Sequence, residues 1–252
     1  MRQIIEGIIQ GVTEFLPISS SGHIVLLEKI SGFSPQNLAQ LQIALHLGTL
    51  FSIMIYYFKD IKDIFLNTKA NSQFLSLIAV GTLPLVLCYL FFYDFFKNIH
   101  NNLELSFQVA SYSFLATGII LLMTKYIKPN TKKITVGIVI VIGVMQCIAI
   151  LPGISRSGMT IATALLLGVN SSNAAKFSFF LAIPAIMGVS ILEFKDIFQS
   201  QEVLAFPFLA FLTSLVVGYI CLRMLIFITR DGKLWYFSIY CFIIGILSIL
   251  IF

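Results

Sequence analysis

Gln10-Gly-Val-Thr-Glu14-Phe-Leu-Pro17-Ile-Ser-Ser20-Ser-Gly22-His23-Ile24 is echoed in the second half of the chain by Gln146-Cys-Ile-Ala-Ile-Leu-Pro152-Gly-Ile-Ser155-Arg156-Ser157-Gly158-Met-Thr160-Ile161. Each stretch runs through a glutamine, an apolar turn, Leu-Pro, a serine cluster and a glycine. Proline lacks a backbone donor and its ring clashes with the preceding turn. Residues 3–31 therefore break at Pro17, and residues 134–168 break at Pro152-Gly153. The halves of the first, about 13 and 12 residues, are too short to cross a bilayer, which takes roughly 20. Each stretch is expected to form a re-entrant helix–loop–helix that enters the membrane and leaves on the same side. Broken backbone at that depth is tolerated only where protein buries it or where it lines a polar cavity.

Membrane residence follows from composition. The 252 residues are 58% hydrophobic and 11% charged, with a mean hydropathy of +0.97. A soluble domain carries about 25% charged residues. The net charge of +5 and pI near 9.0 point to basic loops beside an anionic membrane face. No basic run is interleaved with aromatics, so no nucleic-acid partner is expected. No small-residue cleavage site follows the first apolar stretch, so no removable signal peptide is expected. Cys88, Cys147, Cys221 and Cys241 lie in apolar segments without a C-x-x-C pair, which reads as packing.

Six segments are long and apolar enough to span: 35–58, 72–93, 104–126, 171–194, 204–228 and 235–252. Gln10 and Gln146 differ by 136, and adding 136 to position 35 gives 171, the start of the fourth span. The chain thus reads as one all-α polytopic membrane domain over 1–252, with repeat one at about 1–126 and repeat two at about 134–252. Each unit is one re-entrant hairpin plus three spans. Three is odd, so the second unit is inverted, an arrangement that places binding sites near the membrane midplane. One side collects Lys59, Lys62, Lys69, Lys125, Lys128, Lys132, Lys133, Lys176, Arg223, Arg230 and Lys233; the other has only Arg2, Lys29, Lys97 and Lys195. The basic side is expected to be cytoplasmic, with both termini outside and the two hairpin tips meeting within the membrane.

Nearly all polar residues able to do chemistry lie in the two echoing stretches. Arg156 opens a helix after a break, where free N–H groups and the dipole attract anions, and its planar fork suits phosphate. Its other reading is a positioning ion pair with a carboxylate such as Glu14. Gln10 and Glu14 are four apart on one helical face. They are candidates to hold a hard divalent cation such as Mg²⁺, with a salt bridge from Glu14 to Arg156 as the alternative. Ser20 and His23 follow the first break, where a hydroxyl within reach of an imidazole is an activated-nucleophile arrangement. His23 as the nucleophile, or Ser20 as a mere helix cap, remain alternatives. Ser19 and Ser21 read chiefly as caps, with Ser19 kept as a further phosphate contact. His46 lies inside the first span, while Asp94, His100, Glu104, Glu193 and Asp196 fall at loop edges, where a solvated charge is the default.

Glu/Gln-x-x-x-Glu, then F-L-P-x-S-S-x-G-H, then a distant P-G-x-S-R-S-x-x-T resembles the undecaprenyl-diphosphate phosphatase family, the BacA type linked to bacitracin resistance. The matching residues are Gln10 to Glu14, Phe15-Leu16-Pro17, Ser19-Ser20, Gly22-His23 and Pro152 to Thr160. The resemblance implies hydrolysis of undecaprenyl diphosphate to undecaprenyl phosphate in the bacterial cytoplasmic membrane, with an active site opening outward. It implies recycling of the peptidoglycan lipid carrier, dependence on a divalent cation, usually Mg²⁺, and contact with bacitracin only through the shared substrate. Glu14, Ser20, His23 and Arg156 match the family's essential positions, with Ser155, Ser157 and Thr160 lining the phosphate site. The family's first acidic position is Gln10 here. A second copy of the chain, forming a homodimer, is kept among the candidate partners. Two competing readings are a transporter or flippase of an anionic polyprenyl lipid and an intramembrane serine protease, which would have no use for Arg156.

Overall fold

Both breaks fall where the prolines demand them. In the computed structural model, which describes residues 2–32, 38–127, 131–200 and 206–251, α1 (Arg2–Phe15) stops before Pro17 and α2 (Ser20–Ser31) starts after it. Downstream, α8 (Val136–Ile148) and α9 (Arg156–Leu166) flank Pro152-Gly153. The 14 residues of α1 rise only about 21 Å.

The remaining helices are α3 (Leu38–Tyr56), α4 (Phe58–Leu66), α5 (Ser72–Phe91), α6 (Tyr93–Asn101), α7 (Leu103–Met123), α10 (Ser171–Ser200), α11 (Phe208–Arg230) and α12 (Tyr236–Ile251). Among the described residues there is no strand. Among the described residues, five helices (α3, α5, α7, α10 and α11) are long and apolar enough to cross a membrane. Over the expected sixth span, 235–252, α12 has 16 residues, about 24 Å, and Phe252 lies outside the described residues. The start of the span is lost to the turn after α11, where Gly232 takes a left-handed φ of 69°. The spans expected to end at 58 and 93 stop instead at Tyr57 and Phe92, and the chain continues as α4 and α6. In α4, Phe58, Phe65 and Leu66 are exposed beside Lys59 and Lys62, as on a helix lying in the membrane interface. The expected starts at 35 and 204 lie outside the described residues, as do Lys128 and the side chains of Lys195 and Asp196.

Small residues let the helices approach. A Cβ on Gly7 would meet Ala210 O at 2.9 Å, and one on Gly11 would meet Gly218 N at 2.8 Å, so the Gly7-x-x-x-Gly11 face of α1 lies directly on α11. This is the small-xxx-small packing of membrane helices. In the same way α8 packs on α5, where a Cβ on Gly143 would meet Gly81 O at 2.7 Å. α3 packs on α10 and α11, and α7 on α12. Phe15 at the end of α1 is buried edge-on against Phe179 of α10, 5.8 Å between ring centres. Leu83, Leu87, Leu90 and Phe91 of α5 point outward, an apolar surface of the kind that contacts lipid.

Candidate active site

The two broken loops meet. A Cβ on Gly22 would lie 2.8 Å from Gly153 Cα, and one on Gly158 would lie 3.1 Å from Pro17 Cβ. Gly153 itself has φ +88°, and a Cβ there would sit 2.3 Å from Ala110 O. Glycine is needed for both the conformation and the approach. Thr117 of α7 ties the second loop down, donating to Gly153 O at 3.0 Å and accepting from Ser155 N at 3.2 Å.

The outgoing half-helices begin alike. Ser19 caps α2 by accepting from Gly22 N at 3.3 Å, and Ser155 caps α9 by accepting from Gly158 N at 3.1 Å. Each capping hydroxyl also meets the serine two residues on: Ser19 with Ser21 at 3.3 Å and Ser155 with Ser157 at 3.2 Å. Capping is what serine oxygens do at helix starts. Ser19 does so from φ +69°, a left-handed conformation costing a serine about 1–3 kcal/mol that the surrounding loop enforces. The capping thus leaves Ser20 and Arg156 as the first residues of α2 and α9, at the ends where helix dipoles favour negative charge.

Glu14 joins them. Arg156 Nη2 donates to Glu14 Oε1, and Ser20 Oγ donates to Glu14 Oε2 at 2.7 Å. Gln10 Nε2 donates to the same Oε2 at 3.2 Å. The Glu14 and Arg156 side chains are 8% and 17% exposed, so this is a nearly enclosed ion pair with a hydroxyl on it. A guanidinium and a hydroxyl at two helix N-termini, joined by a carboxylate from the last turn of α1, can bind a phosphate, take up a proton and supply a nucleophile. Gln10 is 1% exposed and its Oε1 has no partner among the described residues. A buried carbonyl oxygen left over beside a carboxylate is a hard-cation donor set. It fits Mg²⁺, which uses one or two protein carboxylates and completes its shell with water and phosphate.

Several residues sit differently from expectation. His23 does not reach Ser20: its Nδ1 lies 2.7 Å from Ser19 O and its Nε2 2.6 Å from Tyr240 Oη. The carboxylate of Glu14, six residues back, takes the Ser20 hydroxyl instead. Thr160 is 1% exposed and turned away from the loop, donating to Arg156 O at 2.9 Å and meeting Ser178 Oγ of α10 at 2.6 Å. Thr160→Val should therefore lower stability by about 1–3 kcal/mol through the hydroxyl partner left behind, measured as a fall in melting temperature in detergent. Glu193 is no solvated loop-edge charge. It lies in α10, 15% exposed, with its Oε2 3.4 Å from His46 Nδ1, and His46 lies within electrostatic range of Glu14. Tyr240, Thr117 and Ser178 were missed. Each is one hydroxyl in an apolar span, where composition gives no depth or direction, and only the pairing of α12, α7 and α10 with the loops reveals them.

The chain matches the family model described as bacitracin resistance protein BacA over residues 3–247. It is 40% identical to the undecaprenyl-diphosphatase of Carboxydothermus hydrogenoformans, over 97% of this chain and 94% of that protein. It is 35% identical to the undecaprenyl-diphosphatase of Halothermothrix orenii, over 99% and 97%, and 35% identical to that of Desulforapulum autotrophicum, over 98% and 96%. With the family's two motifs folded onto one Glu14–Ser20–Arg156 centre and a match running almost end to end, the chain belongs to the BacA family.

Proposed function

We infer that this chain hydrolyses undecaprenyl diphosphate to undecaprenyl phosphate and phosphate at the Glu14–Ser20–Arg156 centre. The observation that carries the reading is the ion pair between Arg156 of one broken helix and Glu14 of the other, with Ser20 donating to the same carboxylate. The names of the relatives support the substrate.

Phosphoryl transfer is catalysed mainly by positioning and charge. Arg156 spends one nitrogen on Glu14 and turns the rest of its fork to the diphosphate, aided by the N-termini of α2 and α9. Ser20 Oγ attacks the terminal phosphorus. The new Oγ–P bond forms as the bridging P–O bond breaks, undecaprenyl phosphate departs with the bond's electrons, and the Ser20 proton passes to Glu14. Water, passing a proton to His23 Nε2, then attacks the phosphoserine; the Oγ–P bond breaks, Glu14 returns its proton to Ser20 Oγ, and phosphate leaves. Giving the Ser20 proton to Glu14 rather than His23 follows the 2.7 Å contact. Glu14 and Gln10 Oε1 would hold Mg²⁺, which neutralises phosphate charge when bound. Ser155, Ser157 and Ser19 set the loop shape around the phosphates.

The topology we propose is six spans, with α12 as the sixth, plus two re-entrant hairpins in inverted repeats. The exchange of partners supports it: α1 of the first unit packs on α11 of the second, and α8 of the second on α5 of the first. Sidedness is supported by the Lys176–Asp60 pair at one end and the Lys29–Glu104 pair at the other, each joining residues assigned to one face. The basic face is cytoplasmic, and the site opens outward from a bacterial inner membrane.

Phosphate release from undecaprenyl diphosphate by the purified protein in detergent tests the reading. Ser20→Ala should slow it by about 10³-fold or more, the scale of removing a nucleophile. A flippase has no use for a hydroxyl held on a carboxylate. Binding of the lipid without release by the intact protein would favour transport, and release persisting in both Arg156→Ala and Glu14→Ala would sink the proposed centre.

A further inference from the structure

His23 is held on four sides. Nδ1 lies against Ser19 O at 2.7 Å. A carbonyl only accepts, so Nδ1 carries the proton, and in the neutral ring Nε2 is left as the acceptor. That nitrogen is not free, because Tyr240 Oη is 2.6 Å away and donates to it. The Tyr240 ring also stacks on the imidazole, with centroids 5.7 Å apart and planes 10° from parallel. Phe114 meets the imidazole edge-on at 5.3 Å. Tyr240 comes from α12, 217 residues away in sequence. The next residue, Cys241, donates to Pro17 O at 3.7 Å, so α12 grips the first break and the histidine together.

We propose that Tyr240 is a positioning residue for the reaction: its hydroxyl and ring hold His23 in one tautomer and one orientation, with Nε2 presented and capped. An imidazole on a loop edge has free rotation about two side-chain bonds. The Ser19 carbonyl fixes one nitrogen, and only Tyr240 fixes the other. Tyr240 is 39% exposed and packed on one side, so it can withdraw its hydroxyl when the incoming water donates to His23 Nε2 in its place. The inference rests on the proposed function, with His23 Nε2 taking the proton of the water that releases phosphate. It adds that His23 acts only from the orientation set by the second repeat's last helix.

Tyr240→Phe keeps the ring and removes the hydroxyl. It should lower kcat by about fivefold, the value of one hydrogen bond, with KM changed less than twofold. A double-mutant cycle with His23→Ala isolates the coupling: Tyr240→Phe should cost nothing further once His23 is gone. The accessible nitrogen is read independently by diethyl pyrocarbonate, with mass spectrometry of the peptides bearing His23 and His100. Relative to His100, His23 should be acylated about fivefold faster in Tyr240→Phe. Unchanged acylation, or an equal loss of kcat with and without His23, overturns the proposal. Faster acylation together with full activity in His23→Ala upholds the cap and overturns the catalytic reading of His23 instead.

Discussion

Arg156→Ala is expected to reduce kcat/KM for phosphate release by about 10³-fold or more, the scale on which an arginine at a transferring phosphoryl group acts. The same substitution should unsettle the fold. Glu14 is 8% exposed, and its partners other than Arg156 are a hydroxyl and an amide. Removing one member of such a buried pair strands the other charge, at about 3–5 kcal/mol. The two effects separate. Adding Glu14→Gln to Arg156→Ala removes the stranded charge, so melting temperature in detergent recovers while activity does not. Arg156→Lys keeps the charge but not the planar fork, and should retain binding better than turnover. Recovery of both stability and activity in the double variant would show that the pair is only structural.

Gly153→Ala should be strongly damaging, because strain and a backbone clash coincide there. Its backbone sits at φ +88°, and the added Cβ would lie 2.3 Å from Ala110 O and 2.7 Å from Ser113 Cβ. Left-handed strain costs an alanine about 1–2 kcal/mol, and forced overpacking about 1–3 kcal/mol more. The second loop must then move off α7, and with it Arg156 moves off Glu14, so activity falls with stability. Gly32→Ala is the control. It has φ +63° but nothing within 4 Å of the added atom, so it should show the strain alone, as a melting-temperature loss with phosphate release preserved. Equal losses at Gly153 and Gly32 would mean that the close approach of the loops contributes nothing.

The residues of the candidate centre are legible in the chain because polar residues are rare in it. Glu14, Ser20 and Arg156 stood out against an apolar background, and the prolines announced the breaks that bring them together. What pattern could not supply was direction. His23 lies three residues from Ser20 on the same side of α2, yet Glu14 holds the serine hydroxyl while the Ser19 carbonyl and a tyrosine on the last helix hold the imidazole. Thr160 lies in the right motif and faces the wrong way, because Ser178 offers its hydroxyl a partner. Glu193 reads as a loop-edge charge because the apolar run ends near 194, whereas α10 continues to Ser200 and carries Glu193 inside. The short α4 and α6 were hidden by apolar runs that pass through Tyr57 and Phe92 without any change in composition.

The packing of α1 on α11 has a consequence for biogenesis. The glycine face of α1, Gly7 and Gly11, finds its partner only once Phe208–Arg230 has been made. Contacts this distant in sequence form slowly, and α1 carries Glu6, Gln10 and Glu14, which are costly to hold in lipid without partners. The seating of α1, and with it the pairing of Glu14 with Arg156, is therefore expected to follow the synthesis of α11. A chain that stops before Phe208 would hold Glu14 and Ser20 without the helix that backs them.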